Sequence, residues 1–85
     1  MTTDTNAWAG VQQLLGDTFQ VGDGCLYKEN ETGMRIEVTG SCTENKKRHF
    51  NIYVFQNGNE VGQSTAVPQD SLAKEIETIC ALFIF

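Results

Sequence analysis

The segment Met34-Arg35-Ile36-Glu37-Val38-Thr39 alternates apolar and polar residues at every step. A strand turns successive side chains to opposite faces, so Met34, Ile36 and Val38 share one side and the charged or polar residues the other. This period of two marks a half-buried strand, which needs a neighbouring strand and an apolar cover. Arg48 to Gln56 supplies the neighbour, a long run rich in β-branched and aromatic residues. Asn57-Gly58 follows it, a dipeptide suited to positive φ and therefore to a hairpin turn. Glu60 to Val67 returns as a weaker strand, diluted by Gly62 and Ser64. Its register stays open, because two-residue and three-residue turns at Asn57 place opposite sides of it against the core.

Upstream, Phe19 to Val21 and Cys25 to Glu29 are short extended segments broken by Gly22-Asp23-Gly24, which forms either a tight turn or a bulge. Asn30 to Gly33 carries turn residues. Gly40 to Lys47 is polar and reads as a loop. Helices are expected at both ends. Asp4-Thr5-Asn6 offers capping oxygens, Trp8, Val11, Leu14 and Leu15 recur at helical spacing, and Gly16 suits the C-terminal position, giving a helix over roughly residues 5 to 15. Pro68 suits the first turn of the second helix, and Asp70 complements its dipole. Leu72, Ile76, Ile79, Cys80 and Phe83 form that helix's apolar stripe. The expected fold is α+β: a short four-stranded antiparallel meander with the N-terminal and C-terminal helices packed on one face, in the order α-β-β-β-β-α.

Eighty-five residues leave room for one hydrophobic core and a single domain, residues 1–85. A chain of this length buries roughly 60–65% of its unfolded surface. Eleven carboxylates against six basic residues give a net charge of −5, which disfavours direct binding to nucleic acid or to an anionic membrane. A protein partner with a basic surface is the natural counterpart, including a surface that ordinarily holds nucleic acid. The longest apolar run, Ile79 to Phe85, is far short of the ~18 residues that suggest a membrane span. With no signal-peptide pattern at Met1 to Asp4 and an odd, widely spaced set of cysteines (Cys25, Cys42, Cys80), a reducing cytoplasmic setting is expected.

Catalytic chemistry has little to work with. His49 is the only imidazole and completes no zinc set with the cysteines. No serine or cysteine stands in a nucleophile elbow, and Gly22-Asp23-Gly24 matches neither a P-loop nor a dinucleotide fingerprint. No catalytic residue, metal site or cofactor is expected, and a small core leaves little volume for a substrate pocket.

Surface chemistry is more informative. If Phe50, Ile52 and Val54 face the helices, Tyr53 and Phe55 stand on the open side of the sheet, and Tyr27 can join them. Such rings are favoured interface anchors, because each brings a large apolar area at low rotamer cost. Their alternative role is to cover one another as cross-strand pairs. Glu29, Glu31, Glu37 and Glu44 could gather near the loops at one end of the sheet and imitate phosphates. The basic run Lys46-Lys47-Arg48-His49 reads as a solvated edge that blocks strand pairing. At the C-terminus, Leu82, Ile84 and Phe85 cannot all lie on one helix face with Phe83, so they either tuck into the core or support a homodimer. In size, charge and lack of a catalytic motif, the chain resembles the small acidic proteins of phages and mobile elements, including anti-CRISPR inhibitors. That resemblance implies a non-enzymatic inhibitor that occludes a basic target surface; the alternative is an oligomer-forming accessory protein that self-associates through its sheet face and C-terminal tail.

Overall fold

The alternating segment lies at the centre of an antiparallel sheet with two helices, an α+β fold. The computed structural model describes residues 4–16, 19–22 and 24–83, with side chains from residue 10 onward. In chain order the elements are α1 (Asp4–Leu15), β1 (Gln20–Val21), β2 (Cys25–Glu29), β3 (Met34–Glu44), β4 (Lys47–Gln56), β5 (Asn59–Pro68) and α2 (Gln69–Leu82). The sheet follows sequence order, β1-β2-β3-β4-β5, so no crossover is required.

Five strands replace the expected four. Residues 19–29 divide into two strands because Gly22 donates its backbone N–H to the Cys25 carbonyl, closing a turn that pairs Gln20 with Tyr27 and Val21 with Leu26. Phe19, just before β1, is fully buried and anchors that corner.

Residues 40–47 also differ from expectation. They are not a loop: β3 runs on to Glu44 and returns as β4 at Lys47 through a two-residue turn. Asn45 and Lys46 both have positive φ, 53° and 63°, the conformation that matches the twist of a hairpin. Every residue from Gly40 to Arg48 is exposed. This arm lies beyond the helices, so neither of its sides needs apolar residues and the sequence shows no alternation. A register shift between Gly40 and Thr43 separates it from the regular sheet.

Asn57 (φ 53°) and Gly58 (φ 86°) form the expected turn, and pairing of Gln56 with Asn59 fixes it at two residues. That settles the register of β5. Its helix-facing positions are Gly62 opposite Val54 and Ser64 opposite Ile52, followed by Val67 opposite Phe50. A second irregularity between these last two pairs returns Val67 to the core; Ala66 has φ 55° there, and its N–H is held by the Asn51 side chain at 3.0 Å.

Met34, Ile36, Val38, Phe50, Ile52 and Val54 cluster with Leu26, Phe19, Val67, Val11 of α1, and Leu72, Ile76 and Ile79 of α2. Both helices therefore cover the same face of the sheet. Each fully buried Phe, Ile, Leu or Val contributes about 1.5–3 kcal/mol relative to exposure. Cys80 and Phe83 pack at the margin of this core, completing the stripe read from the sequence. Pro68 ends β5 and occupies the N-cap position of α2, one residue before the helical turn expected for it. The side chains of Trp8 and of Asp4-Thr5-Asn6, together with Asp23, Ile84 and Phe85, lie outside what is described. Among the described residues, no helix is long and apolar enough to cross a membrane.

Candidate functional site on the helix-free face

With the helices on one face, strand alternation places the remaining side chains of β2 to β5 on the other. Register aligns them in rows across the strands. One row reads Gln20, Tyr27, Glu37, Tyr53, Gln63; the next reads Glu29, Arg35, Phe55, Glu60. Tyr27, Tyr53 and Phe55 thus stand on the open face, as the alternation of β4 implies. All three are half-buried, neither sealed nor fully wetted.

Arg35 organises this face. Its Nε donates to Glu37 Oε2 at 2.7 Å and its NH1 to Glu29 Oε2 at 3.0 Å. Its guanidinium also lies 4.2 Å from the centre of the Tyr27 ring. The hydrogen bond Arg35 donates to Glu37 is the main reason its pKa is raised, opposed by partial burial and helped by Glu29. Tyr27 in turn donates its hydroxyl to Gln20 Oε1 at 3.1 Å. The planar guanidinium can stack on a ring while its edge bonds two carboxylates, which an ammonium could not reproduce. The result is a preorganised cluster of two carboxylates (Glu29, Glu37) and the Tyr27 ring around one guanidinium, with Tyr53, Phe55 and Glu60 on neighbouring strands of the same face.

The four carboxylates singled out from the sequence are not one cluster. Glu29 ends β2 and Glu31 lies in the β2–β3 turn, where Asn30 Oδ1 accepts from the Thr32 and Met34 N–H groups. Glu37 is on β3, two residues past Arg35. Glu44 is at the tip of the hairpin arm, at the opposite end of the sheet. Two antiparallel strands that run nine residues past Arg35 separate it by roughly 30 Å, which spacing along the chain did not reveal.

In the basic run, Lys46 is in the arm's turn and Lys47 Nζ bonds Asp70 Oδ2 at 2.8 Å, tying the arm to the start of α2. Arg48 stacks 5.0 Å from the Phe50 ring. Leu82 is 72% exposed and therefore does not tuck into the core. None of the three cysteines is in a disulfide: Cys25 is buried, Cys42 exposed on the arm and Cys80 intermediate.

A groove of about 340 Å³, larger than expected for so small a core, runs between α1 and α2. Leu14, Leu15, Phe19, Ala73, Ile76 and Cys80 line it together with Lys28 and Glu77, so its wall is mixed apolar and polar. Lys28 belongs to the helix-facing row beside Ile36 and Val54, and its ammonium lies 5.9 Å from the Phe19 ring. Among the described residues, no group of three or more His, Cys, Asp or Glu side chains is placed to hold a metal ion.

Comparison with protein-family models, curated proteins and solved structures finds no match to this chain. The geometry therefore carries the functional argument.

Proposed function

We propose that this chain is a non-enzymatic protein-binding module whose helix-free sheet face docks on, and occludes, a basic protein surface of the kind that holds nucleic acid. This is the mode of action of an inhibitor carried by a phage or mobile element. The observation that supports the reading is the Tyr27–Glu37–Tyr53 row beside Glu29–Arg35–Phe55. It presents three partly accessible rings among carboxylates on a rigid, helix-free face. Rings supply anchoring area, while carboxylates select a cationic counterpart and speed encounter. A helix-free sheet face suits occlusion, since its rows of rings and carboxylates offer one broad contact surface.

The test is capture of partners from a host extract on the immobilised chain, followed by competition with nucleic acid. The reading expects a basic partner, released as salt rises from about 0.15 to 0.5 M through screening of the charged contacts. The partner is lost on the double change Tyr53→Ala, Phe55→Ala and displaced by DNA or RNA. A partner indifferent to salt, to both ring truncations and to competing nucleic acid would eliminate the mechanism.

A further inference from the structure

The two edges of the sheet differ. β1 is a two-residue edge, whereas β5 presents ten residues and, among the described residues, pairs only with β4. Long free edges usually carry lysine or proline as guards. In β5 the only such guard is Pro68 at its very end; Asn59 to Val67 contains neither and has a single charge, Glu60.

The direction of the unpaired groups follows from the ladder. Asn57 N–H bonds the Gly33 carbonyl at 2.9 Å, one step outside the Met34–Gln56 pair. Met34 and Gln56 are therefore a non-hydrogen-bonded pair, and the peptide groups of Phe55 and Tyr53 point to β3. Those of Val54 and Ile52 point to β5 and engage Gly62 and Ser64. Alternation then turns the peptide groups of Gln63, and of Val61 and Thr65 beside it, towards the free edge. The regularly paired stretch is Gly62 to Ser64, and Val61 and Thr65 lie at the two register irregularities that bound it.

We propose that the β5 edge is a homodimer interface, in which two copies pair antiparallel about Gln63 to form one continuous sheet. Self-pairing about Gln63 sets Val61 opposite Thr65 and Glu60 opposite Ala66 of the second copy, so no like charges meet along the paired strands. The two-fold axis is perpendicular to the sheet, so both copies keep their helices on the same side. Each α2 packs over β4 and β5, with Phe83 against Gly62 and Glu75 bonded to Ser64 at 2.9 Å. Strands are about 4.8 Å apart, which brings the two α2 axes to about 10 Å, the distance at which helices pack. Leu82, 72% exposed, is on the same flank of α2 as Glu75 and so faces that seam. A lone peptide strand added to this edge would leave Leu82 exposed; a second copy covers it. Val61, 47% exposed, borders the same seam on the other face.

The experiment combines light-scattering mass with concentration-dependent amide exchange. The wild-type chain should give twice its 9.4 kDa mass at high concentration and dissociate on dilution. Amides of Val61, Gln63 and Thr65 should gain protection with concentration, while those of Gly62 and Ser64 are protected throughout. Gln63→Pro removes an edge donor that β4 does not use, and Leu82→Glu charges the seam; both should give the 9.4 kDa mass with unchanged far-UV circular dichroism. A wild-type monomer up to millimolar concentration overturns the proposal. So does a dimer that survives both changes, which would locate the contact elsewhere. Because Leu82→Glu lies on the helix side of the sheet, away from Tyr27, Tyr53 and Phe55, failure here leaves the partner-docking reading intact.

Discussion

Replacing Gly62 by valine sets two measurable terms against each other. Strand propensity favours the change: a β-branched residue in place of glycine gains about 1 kcal/mol on host-protein scales, and the unfolded chain loses freedom. Packing opposes it. A Cβ at Gly62 would already sit 3.0 Å from Phe83 Cζ and 3.4 Å from Cε2, and the two valine methyls extend further towards the ring. Overfilling a packed contact costs about 1–3 kcal/mol. If Phe83 swings away instead, a half-buried ring gives up about 1 kcal/mol of its burial and α2 loses its last anchor on β5. The net expectation is destabilisation by about 1 kcal/mol, or a melting temperature lower by about 4–8 °C in a domain of this size.

A double-mutant cycle separates the terms. In a Phe83→Ala background the obstacle is gone, so Gly62→Val should stabilise relative to that parent by about 1 kcal/mol, a coupling of about 2 kcal/mol. Urea unfolding followed by far-UV circular dichroism, at one fixed protein concentration, resolves this difference. Stabilisation by Gly62→Val with Phe83 present, or the same sign in both backgrounds, would refute the argument that Gly62 exists to admit the ring.

Arg35→Met keeps much of the side chain's length but removes the stack on Tyr27 and both ion pairs; partial exposure limits the loss to about 1–2 kcal/mol by urea unfolding, and no loss would mean the cluster is not formed in solution. The Lys47–Asp70 pair makes a pH prediction. Its hydrogen bond and charge lower the Asp70 pKa below 3.8 and raise that of Lys47 above 10.5. The Asp70 contribution is thus present above pH 3.8 and lost as pH falls through the lowered value; that of Lys47 is present below 10.5 and lost as pH rises through the raised one. An NMR titration should place the Asp70 midpoint below 3.8 and return it towards that value in Lys47→Ala or in high salt. Lys46→Gly relieves a side chain held at φ 63° and should raise amide protection along residues 41–48, by up to about 1 kcal/mol; reduced protection would contradict the two-residue turn.

Where residues face the core, the pattern was readable. Met34, Ile36 and Val38 are buried, as their alternation required, and Leu72, Ile76 and Ile79 of the helical stripe are buried with them. Asn57-Gly58 also announced its turn, since few other dipeptides take positive φ twice at low cost. The open-face rings followed from the same alternation, because fixing Ile52 inward fixes Tyr53 outward. What pattern could not supply was pairing partners. The Arg35 cluster depends on Tyr27 and Glu29 from β2 meeting a residue six or more positions away, and nothing local to Arg35 signals that. The scattered placement of Glu44 has the same origin, for only the length of the β3–β4 hairpin decides which end of the sheet it reaches.

The two segments that looked least like strands lack apolar residues for different reasons. In the arm, residues 40–48 extend past the helices, so strand structure there rests on the hairpin hydrogen bonds and on the Lys47–Asp70 tie, with no core for side chains to enter. In β5 the helix is present, and small residues are needed because it is close: Gly62 and Ser64 face α2, and anything larger would lift Phe83 and break the Ser64–Glu75 bond. Dilution of apolar content therefore reports absence of a cover in one place and close approach of a cover in the other. A polar-to-apolar scan distinguishes them physically. Thr43→Val in the arm meets solvent and should change stability little, whereas Ser64→Val meets α2 and should destabilise by about 1–3 kcal/mol. Equal effects at the two positions would mean that α2 does not press on β5, and with that the close approach of two α2 helices across paired β5 edges would lose its geometric basis.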